Sequence, residues 1–168
     1  MTNKQGFSII ELLVVLAIIG LLGTLAAVAV GSARERSRDY KRLNDVNEIQ
    51  IALEQYFNEN NEYPLGANLP LGDAAQSTCL SDNGFAASCT GEGIVFMPIV
   101  PQLYDKGLKD LSQCGTPART AYCYSLLENG ISYAISVEFE RDIPERGIAK
   151  GLNCAVPTGI RAGACVTE

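Results

Sequence analysis

With 168 residues and a formal charge of −6, the chain is long enough for one modest domain plus an N-terminal segment. It has no His and no Trp. The usual imidazole base, proton shuttle and commonest metal ligand are therefore missing, which counts against hydrolases and metalloenzymes. After residue 60 there are seven Lys/Arg against twelve Asp/Glu, a net of −5, so that part is a poor match for nucleic acid.

Residues 1–6, MTNKQG, form a short polar leader with Lys4 as the one charge. Residues 7–31 follow as GFSIIELLVVLAIIGLLGTLAAVAVG after Gly6 is included, and from Leu12 to Val30 no residue is charged. As a helix, residues 7–31 span roughly 37 Å, enough to cross a ~30 Å hydrocarbon core. Apolar side chains surround that helix on all sides, as lipid or a wholly apolar interior requires. Gly20, Gly23 and Gly31 permit close helix approach and local extension. A secretory signal is the competing reading, with Leu12 to Ala26 as its apolar region and Ala27-Val28-Ala29 as the cleavage site. Glu11, at the start of the run, and the run's length count against it.

Residues 32–60 continue the helix. Tyr40, Leu43, Val46, Ile49, Leu53, Tyr56 and Phe57 recur at spacings of three and four, one amphipathic stripe predicted to reach about Asn58 and to pack on a sheet. Pro64 forces Tyr63 toward extended geometry. The basic cluster Arg34, Arg36, Arg38, Lys41 and Arg42 reads first as a solvated face broken by Glu35 and Asp39, with Asp39 and Arg42 spaced as an i,i+3 pair. Anionic headgroups, DNA or acidic neighbours are its other candidate partners.

Residues 61–168 are predicted to form a disulfide-bonded globular head. Cys79, Cys89, Cys114, Cys123, Cys154 and Cys165 all fall here, an even count that suggests an oxidising compartment. Their gaps suggest neighbouring pairs, 79 with 89, 114 with 123 and 154 with 165, each worth on the order of 2–3 kcal/mol by loop closure. The positive-inside rule would instead keep the basic cluster and the head in the cytoplasm; the cysteines outweigh it. Gly66 to Gly93 reads as a long stapled loop, in which Asp73, Asp82 and Asn83 are oxygen donors without EF-hand spacing. Ile94 to Val100 is a short apolar segment, and Leu103 to Leu111 a helical turn. Tyr122 to Glu140 carries the clearest β signal, with Asn129-Gly130 as a hairpin turn and Tyr133, Ile135, Val137 and Phe139 facing the helix stripe. Ile148 to Glu168 is predicted to add an edge strand.

Gly6-Phe7-Ser8-Ile9-Ile10-Glu11-Leu12-Leu13 resembles the processing motif of type IV pilins and of type II secretion pseudopilins, and the likeness runs on to ALEQYFNENNEYP. The resemblance implies an α+β fold, a long N-terminal helix packed on a small antiparallel sheet. It implies a structural prepilin, cut between Gly6 and Phe7 by a prepilin peptidase and methylated on the Phe7 amine. Glu11 would serve assembly into a filament. Its partners would be other copies of itself and related pilins, the membrane before assembly, and the assembly platform of a pilus or secretion machine. The chain would start as a single-pass protein of the cytoplasmic membrane, head outside, and end in a periplasmic or extracellular filament. One departure is the absence of a Pro near Val28, Ala29 and Val30. No catalytic nucleophile–base pair, cofactor site, metal site or small-molecule substrate is expected. The reading from another class is a soluble binding domain released by signal peptidase after about Ala29.

Overall fold

A computed structural model describes residues 7–91, 93–103, 114 and 121–165. The chain divides into two compact units, with the boundary between Ser37 and Arg38. The fold is α+β: a long helix, α1 (Ile9–Asn60), precedes, among the described residues, eight short antiparallel strands.

In the first unit, the described residues belong to α1 and the two residues before it, and every side chain from 7 to 37 is exposed. The helix runs through Gly20, Gly23 and Gly31 without a break. A Cβ placed on any of the three would meet nothing within 4 Å, so no contact among the described residues calls for glycine there.

In the second unit, α1 becomes striped. Leu43, Val46, Ile49, Ala52, Leu53 and Tyr56 are buried, the periodic set that the sequence predicts. The helix ends two residues later than expected, at Asn60, because Asn61 takes the left-handed conformation and returns its N–H to the Phe57 carbonyl at 2.8 Å.

The main sheet has the order β1 (Leu69–Leu71), β5 (Tyr122–Leu127), β6 (Ser132–Phe139), β7 (Gly151–Val156) and β8 (Gly159–Ala162). A second sheet orders β3 (Gly84–Ala86), β2 (Cys79–Ser81) and β4 (Val95–Met97). Segment 66–93, expected as loop, thus contributes three strands; each is three residues long, too short for alternation to register in Gly- and Ser-rich sequence. The C-terminal segment adds a hairpin, β7–β8, rather than a single strand. The predicted turn at Asn129-Gly130 joins β5 to β6 with both residues at positive φ, which Asn and Gly tolerate best. Gly130 also accepts the Tyr63 N–H at 2.8 Å, holding the chain that leaves α1. The predicted helical turn over 103–111 lies, after Leu103, outside the described residues.

Tyr133, Ile135, Val137 and Phe139 join the helix stripe in one core. Ala134 and Ser136, on the other face of β6, are also buried, so the expected in-and-out pattern fails there. On that face Cys123, Ser136 and Cys154 stand in one row across β5, β6 and β7, and both cysteines are disulfide-bonded, to Cys114 and Cys165. The structure joins Cys79 to Cys89, Cys114 to Cys123 and Cys154 to Cys165. The core is rich in tyrosine, and three of the hydroxyls find acceptors: Tyr63 donates to Glu54 at 2.8 Å, Tyr122 to Asp45 at 2.8 Å and Tyr124 to the Pro64 carbonyl at 2.6 Å.

Candidate functional site

Two places on α1 hold the residues that chemistry can use. The first is its start. Ser8 sits just before the helix and its carbonyl accepts the Leu12 N–H at 3.2 Å. The Glu11 carboxylate accepts the Ser8 N–H at 2.8 Å. Ser8 followed three residues later by Glu is the spacing of a capping box, and this is its glutamate half. The negative charge also suits the positive end of the helix dipole. Glu11 therefore has a local task within its own chain. It is the one ionisable side chain among residues 7–33.

Around it, the apolar side chains of residues 7–30 are exposed. Phe7 is 86% exposed, Ile9 78% and Leu25 62%. Such a surface is far larger than soluble monomers leave in water. The helix is long and apolar enough to cross a membrane. Phe7 is exposed immediately ahead of it, and Gly6 lies outside the described residues.

The second place is the first buried turn of α1. Asp39 is 2% exposed and Arg42 4%. One Asp39 oxygen accepts the Arg42 guanidinium at 2.7 Å and the Glu140 N–H at 3.0 Å; the other accepts the Arg141 N–H at 3.0 Å. Glu140, at the end of β6, accepts Arg42 at 2.8 Å and Arg38 Nε at 2.6 Å, and pairs with the Arg38 Nη2. Hydrogen bonding from Arg38, ahead of the opposing effect of burial and with Arg42 adding to it, holds the Glu140 carboxyl down to about 2. Sequence reading found the Asp39–Arg42 pair but missed Glu140, which lies about a hundred residues away. The expected solvated face is therefore corrected: Arg38 and Arg42 are fastened to the head, whereas Arg34 and Arg36 remain exposed. One turn on, Asp45 is buried under Tyr122; burial pushes its carboxyl up, against the Tyr122 hydrogen bond.

The loop donors do not converge. Asp73 accepts the Ala75 N–H within its own turn, and Asp82 pairs with the neighbouring Asn83 amide. Among the described residues no three His, Cys, Asp or Glu gather as a metal group.

Residues 1–27 match the family model of the prokaryotic N-terminal methylation motif. The chain is also similar to type II secretion system core protein G. It is 31% identical to that of Pectobacterium carotovorum subsp. carotovorum over 62 residues, 37% of this chain and 40% of the relative. It is 34% identical to the Escherichia coli (strain K12) protein over 64 residues, 38% and 44% of the two chains, and 31% identical to the Aeromonas hydrophila protein over 62 residues, 37% and 43%. The chain thus spans 40–44% of the length of these curated relatives. No solved structure matches it.

Proposed function

We propose that this chain is a prepilin, a structural subunit that polymerises through the first half of α1 into a pilus-like filament. The observation that carries this reading is the conjunction at Glu11: one carboxylate, in the first turn of α1 and the one ionisable side chain of the exposed stretch 7–33, inside a matched methylation motif. A carboxylate in a membrane span is costly unless paired and generally marks function.

In this reading a prepilin peptidase removes residues 1–6 between Gly6 and Phe7, and the new Phe7 amine is methylated. Residues 7–31 first anchor the chain in the cytoplasmic membrane. Residues 32–60 continue the helix into the head, and residues 61–168 complete that head outside the cytoplasm, where its disulfides are stable. On assembly the anchors leave lipid and pack on one another, and the glycines at 20, 23 and 31 allow close approach. Glu11 of one subunit then pairs with the Phe7 amine of a neighbour, where two lone charges would otherwise be stranded at low dielectric. The contact is head-to-tail, which yields open filaments instead of rings. Further partners are related pilins and the assembly platform. The role is structural, with no reaction assigned to the chain.

A second reading within the same class is favoured by the relatives, all named as core proteins of type II secretion. There the filament is a short periplasmic pseudopilus. Isolation of surface filaments with identification of their subunits separates the two.

Glu11→Gln is the discriminating variant. Glutamine can keep the cap on the Ser8 N–H but removes the charge. We expect normal insertion, cleavage and methylation with filament yield reduced at least about tenfold, the effect of leaving a buried amine unpaired. Normal filaments would remove this account of Glu11. The mature N-terminus, read by mass spectrometry, should be methylated Phe7; a start near Val30 would instead support a domain released by signal peptidase.

A further inference from the structure

The charges exposed on α1 are segregated along its length. Arg34 and Arg36 are exposed, with Glu35 between them. Arg38 and Arg42 are occupied by Glu140 and Asp39, and Lys41 lies near enough to Asp45 to favour its charged form. From Leu43 to Asn60 there is no Lys or Arg at all, while Glu48, Glu54 and Glu59 are exposed. Glu54 already accepts the Tyr63 hydroxyl with one oxygen. The helix therefore carries a short basic band followed by a longer acidic one.

Each band reaches two sides of the helix. At 3.6 residues per turn, Arg34 and Arg36 point about 160° apart, and Glu54 stands about 120–140° from Glu48 and Glu59. One subunit can therefore offer its arginines to a neighbour on one flank and its glutamates to a neighbour on the other.

We infer that the partner of the basic band is the acidic band of a second copy of this chain, lying parallel and staggered along α1. This inference rests on the filament reading, which makes the helices parallel because all anchors enter one membrane from one side. Bringing Glu48 to Glu59 level with Arg34 and Arg36 requires a shift of about 12 to 25 residues along α1. In register, the same helices would set arginine beside arginine and glutamate beside glutamate, so the charges oppose an unstaggered pair and favour the staggered one. Anionic lipid headgroups would satisfy the arginines alone. They leave the acidic band without an account, and the positive-inside rule supplies no reason for arginines on the outer side of the span.

The test uses two differently tagged full-length copies in cells that assemble the filament. One carries Arg34→Glu and Arg36→Glu, the other Glu48→Lys and Glu59→Lys. Alone, each reversed copy sets like charges together and should lower the yield of sheared filaments at least about tenfold. Produced together, the reversed arginine positions of one copy face the reversed glutamate positions of the other, and attraction returns at those contacts, with Glu54 unchanged in both copies. Filaments should return to within about threefold of wild type, with one tag co-purifying the other. Anchor insertion and leader removal, followed by mass, should stay normal in both. Three outcomes overturn the inference: full assembly of either reversed copy alone, no rescue on mixing, or a defect confined to the arginine variant, which would assign that band to lipid. Absence of filaments from the wild-type chain would instead sink the filament reading itself.

Discussion

Replacing Asp39 by Ala removes the centre of the charged cluster that fastens α1 to the sheet. Its carboxylate accepts three hydrogen bonds, from Arg42 and from the backbone N–H groups of Glu140 and Arg141. Without it, two backbone donors lose their acceptor, at about 1–3 kcal/mol for each that stays buried and unmet. Arg42, 4% exposed, keeps Glu140 as a partner but loses the nearer of its two carboxylates. Breaking a buried pair typically costs about 3–5 kcal/mol, and water reaching the Arg141 N–H will recover part of the backbone loss. We therefore expect a net loss of ~3–5 kcal/mol, a large share of the stability of an ordinary domain. Asp39→Asn, which keeps the volume and one acceptor oxygen, should cost roughly half of that. The assay is urea unfolding of the detergent-solubilised full chain, followed by the near-ultraviolet circular dichroism of the buried tyrosines. The midpoint should fall with an unchanged slope. A loss below about 1 kcal/mol for Asp39→Ala would refute the claim that this cluster holds the helix to the head.

Glu140 gives the cluster a pH signature. Its carboxyl is held at about 2 in the folded chain against 4.5 for the free group, so the pair contributes stability above the unfolded value and loses it as pH falls from 4.5 toward 2. The side chain is 29% exposed, so solvent screening should leave about 1–2 kcal/mol of this effect, and Glu140→Gln should flatten the acid limb of the urea midpoint. A wild-type profile as flat as the variant's would contradict the assignment. At Asp45 the sign is opposite: burial raises its carboxyl, so the folded state takes up a proton more readily and ionisation opposes folding. Asp45→Asn keeps an acceptor for Tyr122 and should be neutral or up to about 1 kcal/mol stabilising at neutral pH; a loss above about 2 kcal/mol would show that the charge itself is needed.

The long helix, the striped second half, the β5–β6 hairpin and the Asp39–Arg42 spacing were legible in the sequence because each is a local pattern. Periodicity in Leu43 to Tyr56 and the Asn129-Gly130 turn need no knowledge of the remaining chain. Glu140 was not legible: nothing near it in sequence distinguishes it from Glu138, which is exposed. Its partner arginines are supplied by the pairing of β6 with the helix, a tertiary fact. The three strands between Leu69 and Ala86 escaped for another reason. They are held by short ladders and by Ser77, whose hydroxyl donates to the Pro70 carbonyl, and such contacts leave no periodic trace. At the candidate site, the motif around Glu11 was readable, and the hydrogen bond from the Ser8 N–H to its carboxylate is what the fold adds.

The two halves of α1 answer to different environments, and that difference can be measured. In residues 7–37 no side chain is buried by the chain itself, so nothing in the fold rewards one apolar residue over another there. In residues 38–60 the stripe is under the sheet, and Leu53 is fully buried in the core. A motif match confined to residues 1–27 therefore falls within the segment whose proposed partners are lipid and neighbouring copies. The consequence is a paired prediction. Leu53→Ala should cost about 2–5 kcal/mol in urea unfolding, through lost transfer energy and the cavity left behind. Leu22→Ala, 59% exposed in wild type, should leave that midpoint within about 0.5 kcal/mol yet reduce filament yield, because in the proposed filament it packs between subunits. If Leu22→Ala unfolded the head as Leu53→Ala does, the first half of α1 would be a structural part of the domain, and its exposed apolar surface would need another explanation.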